Sequence, residues 1–172
     1  MPRLSVGLPR ISWPSWGRME QREAHDRLRR VRDELQAAHY ALGRAEAKWD
    51  AETGTAVEKF RGDVSLDEIR RAAENLNRTF IIRLFSEFEG VLLDYWEHGL
   101  HRGSEPRSVD LINGIAASCP HPIGDTHRDA VHHVRRYRNT LVHPRADAVD
   151  RLTVDQCLSR LGKYLSYFPQ NW

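Results

Sequence analysis

From about Met19 to Asp50, apolar residues recur alternately three and four apart: Leu28, Val31, Leu35, Ala38, Leu42, Ala45 and Trp49. That spacing lays one apolar stripe along a helix and leaves charge on the other faces. Gly54 and Gly62 mark a break. A second long helix is predicted from Ser65, which can cap while Glu68 reaches back three residues later. Its face runs through Leu66, Ile69, Ala73, Leu76, Phe80, Leu84, Phe88, Val91 and Tyr95 to about Leu100. Residues 101–124 are less regular, but Val109, Leu111, Ile112 and Ile115 predict a short helix ended by Pro120 and Pro122. A third main helix runs from about Asp125 to Val142, with Asp125 or Thr126 as its cap and Pro144 closing it. The last starts at Thr153, where Gln156 completes another capping box, and shows Val154, Cys157, Leu158, Leu161, Leu165 and Phe168 on one side.

No stretch alternates with period two, so no sheet is expected, and no internal repeat appears. The pattern predicts an all-α fold: an antiparallel four-helix bundle with an additional short helix and an irregular N-terminal arm. The arm is residues 1–18, where Pro, Gly and Ser alternate with Trp13 and Trp16. It either lays its aromatics on the domain surface or reaches a partner subunit. The helical domain is residues 19–172.

Composition narrows the function classes. Of 172 residues, 40% are hydrophobic and 29% charged, which supports a core and argues against global disorder. With 26 basic and 24 acidic residues the net charge is +2, which excludes a polybasic nucleic-acid clamp but leaves room for a local basic patch. Cys119 and Cys157 make neither a disulfide framework nor a Cys-rich zinc module. No apolar run approaches the ~18–20 residues needed to span a membrane. Pro2, Pro9 and Pro14 break up the start, a poor pattern for a signal peptide, so a reducing cytoplasm is the expected compartment.

The third main helix carries the informative string, Arg138-Asn139-Thr140-Leu141-Val142-His143-Pro144. At roughly 100° per residue, Arg138 falls about 20° from Val131, on the apolar side with Val134 and Leu141. A guanidinium placed there needs a counter-charge, a cavity or an interface. Pro144 disfavours helical backbone at His143, so the helix should stop there and the turn can bring His143 back toward Arg138. A fixed cation and a group titrating near neutrality then share one helix end. Such a pair suits phosphodiester cleavage, one group moving a proton while the other steadies phosphate oxygens. The same two residues could equally complement the helix dipole and cap its carbonyls.

The string Arg138-Asn139-x-x-x-His143, near the end of a helix in a small helical domain, resembles the HEPN family (higher-eukaryote and prokaryote nucleotide-binding). The apolar helix Asn77 to Trp96, with Phe85-Ser86-Glu87-Phe88-Glu89, is similar to the second helix of stand-alone HEPN nucleases of the RiboL-PSP-HEPN group. At fold level the likeness covers roughly residues 19–168. It implies metal-independent RNA cleavage at a composite site made by a homodimer. Each subunit would contribute Arg138 and His143, with Asn139 in the polar position. The settings it implies are toxin–antitoxin pairs and phage defence, with a cognate antitoxin or inhibitor as a further partner. HEPN toxins paired with a nucleotidyltransferase antitoxin often place Tyr two residues after the His; here Arg145 stands there, so the likeness does not extend to that modification.

Other residues complete the expected site. Glu87 projects about 60° from Leu66, beside Ile69 and Phe80, and is the candidate charged neighbour of Arg138. Arg135, Arg136 and Arg145, with Arg128, would hold RNA phosphates and so fix position rather than sequence. Tyr137 could stack on a base or serve the core. His98 and His101, one turn apart beside Glu97, raise the question of a metal, but neither HExxH nor a repeated Glu-x-x-His accompanies them, so no metal or cofactor is expected. The expectation is a dimeric, metal-independent endoribonuclease. The alternative is a non-catalytic helical module that holds RNA or a protein partner in the same groove.

Overall fold

The computed structural model describes residues 19–51, 65–104, 106–143 and 149–172. Residues 1–18, the Gly54–Gly62 break, Pro144 and Arg145 lie outside them, as does the side chain of Trp49. The fold is all-α. In order come α1 (Gln21–Ala51), α2 (Leu66–Asp94), α3 (Ser108–Ser118), α4 (Asp125–Val142) and α5 (Val154–Leu165). Among the described residues the single extended pairing is an isolated bridge between Glu20 and Asn171.

Both capping boxes form. Ser65 N–H donates to Glu68 Oε2 at 2.5 Å while Glu68 N–H donates to Ser65 Oγ at 3.2 Å. Thr153 and Gln156 repeat the exchange at 2.9 and 3.1 Å. The expected cap of α4 differs. Gly124 is the N-cap and no side chain caps the helix; Asp125 sits inside the first turn, its carboxylate 2.9 Å from Arg128. There it complements the positive helix end without bonding a free N–H.

Helix α2 is the centre of the molecule and touches all four other helices. This explains why its buried set is wider than one stripe. Leu84, Phe88, Val91 and Tyr95 are buried as the spacing predicts, and so are Ile81, Phe85, Leu92 and Trp96. Helices α1 and α2 run antiparallel: Glu34 pairs with Arg83, His39 with Asn77 and Glu46 with Arg70, so numbers rise along one helix as they fall along the other. Burial on α1 is complete at Leu28, Val31 and Leu35 and fades beyond, where Leu42 and Ala45 are half-exposed.

At its C-terminal end α2 passes into a π-helix, Tyr95–Gly99. Here the core is aromatic. Tyr95 packs on Phe168 with centroids 4.3 Å apart, and Trp172 meets Tyr95 edge-on. Gly99 permits this contact, because a Cβ there would lie 2.4 Å from the Tyr95 ring. Trp172 Nε1 donates to Asp94 Oδ2 at 2.8 Å, and Trp172 N–H to Met19 O at 3.2 Å, tying 149–172 across the starts of α1 and the π-helix. Tyr164 is fully buried and donates to Ile112 O at 2.6 Å, which joins α5 to α3 through the core.

Candidate active site

The last turn of α4 holds the three residues of the motif. Helix α4 is pinned on both flanks. His132 bonds Asn113 of α3 at 2.9 Å, and His133 bonds Arg160 of α5 at 2.8 Å. Val131, Val134 and Tyr137 fill the core between them. Tyr137 is 8% exposed, a core aromatic with no face free for a base.

Arg138 is half-buried, as its wheel position requires. Its Nε is buried and meets no acceptor, while Nη1 donates to Asn139 Oδ1 at 3.2 Å. Asn139 in turn accepts the His143 backbone N–H on its carbonyl at 2.8 Å. The helix stops at Val142, and His143 takes extended backbone, φ −117° and ψ 102°, as a residue before proline prefers. Its side chain is exposed and has no hydrogen bond, ion pair or ring contact among the described residues. Arg138 and Asn139 are therefore joined side chain to side chain, and His143 is joined to them through the backbone.

Glu87 is not the counter-charge of Arg138. It lines a cleft on the other side of α2 with Arg27, Arg30, Val31, Glu34 and Arg83. The reason is rotational. Phe88 lies at the centre of the buried face of α2, so Glu87 and Glu89 sit about 100° to either side of it. Glu87 looks toward α1. Glu89 looks toward α3 and α4, where it accepts from Ser108 Oγ and bears electrostatically on Arg135. The sequence contains both carboxylates, but the choice between them depends on which flank α4 packs against.

Arg135, one turn before Arg138, also buries an Nε without an acceptor, and these two atoms are the unmet buried side-chain donors among the described residues. Burial, then the neighbouring Arg136, pull the Arg135 pKa down, and Glu89 pulls it up. Arg136 is exposed. Arg128 is engaged with Asp125. His132 is held below its usual range by burial and by Arg135.

At the far end of the molecule, His98 Nδ1 lies 3.2 Å from Asp94 O, and His101 adopts a positive φ of 53°. Both line a cavity of about 500 Å³ with Met19, Tyr95 and Trp172. Among the described residues no three His, Cys, Asp or Glu side chains are grouped as metal ligands, and no helix is long and apolar enough to cross a membrane.

Comparison of the chain with family models, with curated proteins and with solved structures returns no match in any of the three.

Proposed function

We propose that this protein is a metal-independent endoribonuclease whose site is completed by a second copy of the chain. The observation that carries the reading is Arg138: a half-buried guanidinium at a helix end, its Nε unmet and no carboxylate paired with it among the described residues. A half-buried cation without a counter-charge is costly, and an anionic ligand supplies one. His143, exposed one turn away, supplies an imidazole that can take or give a proton. The likeness of Arg138-Asn139-x-x-x-His143 to HEPN ribonucleases points the same way.

In this reading the RNA 2′-OH attacks its own phosphorus. His143 of one subunit takes the proton from the 2′-oxygen as the new O–P bond forms. The bond from phosphorus to the 5′-oxygen breaks, and His143 of the other subunit protonates that oxygen. Arg138 steadies the crowded phosphate, and Asn139 orients Arg138 through the bond it already accepts. Arg135, Arg136 and Arg145 hold neighbouring phosphates. A toxin or phage-defence effector, restrained by an antitoxin or inhibitor protein in the cytoplasm, fits this activity.

One observation favours a second reading. The His143 ring has no orienting partner among the described residues, and a module that only binds RNA or protein would not need one. Purified protein incubated with mixed RNAs in EDTA, beside a His143→Ala variant, separates the two. Cleavage lost in the variant supports the nuclease; RNA retained uncut by both proteins supports the binding module.

A further inference from the structure

Glu89 acts electrostatically on Arg135 but forms no ion pair with it. Its carboxylate instead accepts from Ser108 Oγ, at the first residue of α3. The N-cap of α3, Arg107, provides no side-chain cap, so the carboxylate also meets the positive end of that helix. Arg135 is close enough for Glu89 to favour its charged form. Yet Arg135 has no hydrogen bond or ion pair among the described residues. The Nε is its buried atom, while the residue as a whole is half-exposed and its terminal nitrogens remain open to solvent.

A carboxylate and a guanidinium that can reach each other form a charge-assisted pair unless something holds one of them away. Here the Ser108 hydroxyl claims the carboxylate. We propose that Ser108 is a positioning residue: by holding Glu89 against α3 it keeps Arg135 open for the phosphate adjacent to the one that Arg138 binds. The ligand class, single-stranded RNA, rests on the nuclease reading; the role of Ser108 does not. Residues three apart on a helix have Cβ atoms about 5–6 Å apart, comparable with the separation of neighbouring phosphates on one strand. Arg135 and Arg138 therefore suit two successive phosphates. Without the Ser108 hydroxyl, Glu89 turns to Arg135, and RNA must break an ion pair to bind.

The test uses full-length protein carrying His143→Ala, so that the probe survives, and a fluorescein-labelled single-stranded RNA of mixed sequence read by anisotropy across a salt series. Each phosphate contact on a single strand contributes about 0.7 to the slope of log K against log salt. Arg135→Gln is expected to lower the slope by about that amount, and Ser108→Ala to do the same. Ser108→Thr keeps the hydroxyl and retains the full slope. Glu89→Gln added to Ser108→Ala restores it. A full slope in Ser108→Ala, or no restoration in the double variant, overturns the proposal. A second readout needs no RNA: the Arg135 Nε–H resonance should shift in Ser108→Ala and return in the double variant. An unmoved resonance overturns the role of Ser108 whatever the RNA does. A moved resonance in a protein that binds no RNA keeps that role and overturns the choice of ligand.

Discussion

Arg135 and Arg138 stand three residues apart on α4, and each buries an Nε that no acceptor among the described residues meets. Helix geometry puts them about 4.5 Å apart along the axis and on neighbouring positions of one face. Burial, then the neighbouring Arg136, lowers the Arg135 pKa. The arrangement is costly in the isolated chain and is relieved by an anion laid along that face.

The first prediction concerns the motif. Replacing His143 by Ala should lower the rate of RNA cleavage by about 10²–10⁴-fold, the scale of a general acid–base group. Arg138→Ala should do comparable damage, and Arg138→Lys should rescue poorly, because a point charge does not reproduce a planar fork. His143 is exposed, so its variant should keep the wild-type circular dichroism spectrum. Wild-type rates in either alanine variant would favour the binding module.

Product ends report the nucleophile. Attack by the 2′-OH leaves a 2′,3′-cyclic phosphate, or its opened form, on the upstream fragment and a 5′-OH on the other. A single 2′-deoxy substitution at the cleaved position should block cutting there, and EDTA should not slow it. Mass spectrometry that finds 5′-phosphates would rule this chemistry out, even if Arg138 and His143 prove essential.

One His143 cannot comfortably serve both proton transfers, so the active species should be a C2 dimer with the end of α4 at its interface. Light scattering during turnover checks this. A monomer that cleaves RNA at full rate contradicts it.

Stability should fall in mild acid. Burial, aided by Arg135, holds the folded His132 below its ordinary pKa of 6.5, and burial with Arg29 does the same for His25. The unfolded chain takes up these protons at about 6.5, the folded chain at lower pH. Their contribution is intact above 6.5 and is lost as pH drops from there through the folded values. Urea midpoints should therefore decrease between pH about 7.5 and about 5.5, and less steeply in His132→Gln. An unchanged slope in that variant would show that His132 does not contribute.

Gly99→Ala should destabilise the fold by about 1–3 kcal/mol, the scale of forced overpacking. The new methyl would lie 2.4 and 2.6 Å from the Tyr95 ring and 3.0 Å from Trp172 Cβ. Gly103→Ala, where nothing lies within 4 Å, is the control and should be neutral in urea denaturation.

Helix placement was legible because it is written locally. The three-and-four spacing of Leu28, Val31 and Leu35, the Ser65–Glu68 and Thr153–Gln156 boxes and the His143-Pro144 stop each act within a few residues, and each appears where the spacing puts it. The cap of α4 was the local exception, since Asp125 serves as well inside the first turn, beside Arg128, as at the cap. The half-burial of Arg138 was also legible, because a single helix's wheel decides it. What lies opposite that arginine was not. Glu87 and Glu89 flank Phe88 symmetrically, and one helix's periodicity carries no information about which flank its neighbours occupy. Packing of α1 on one side of α2, and of α3 and α4 on the other, broke that symmetry. It sent Glu87 to the arginines of α1, brought Glu89 to Ser108 and left Arg135 and Arg138 without an acceptor at Nε among the described residues. Side-chain periodicity is a property of one helix, whereas charge pairing is a property of two, and only the tertiary structure brings the second one in.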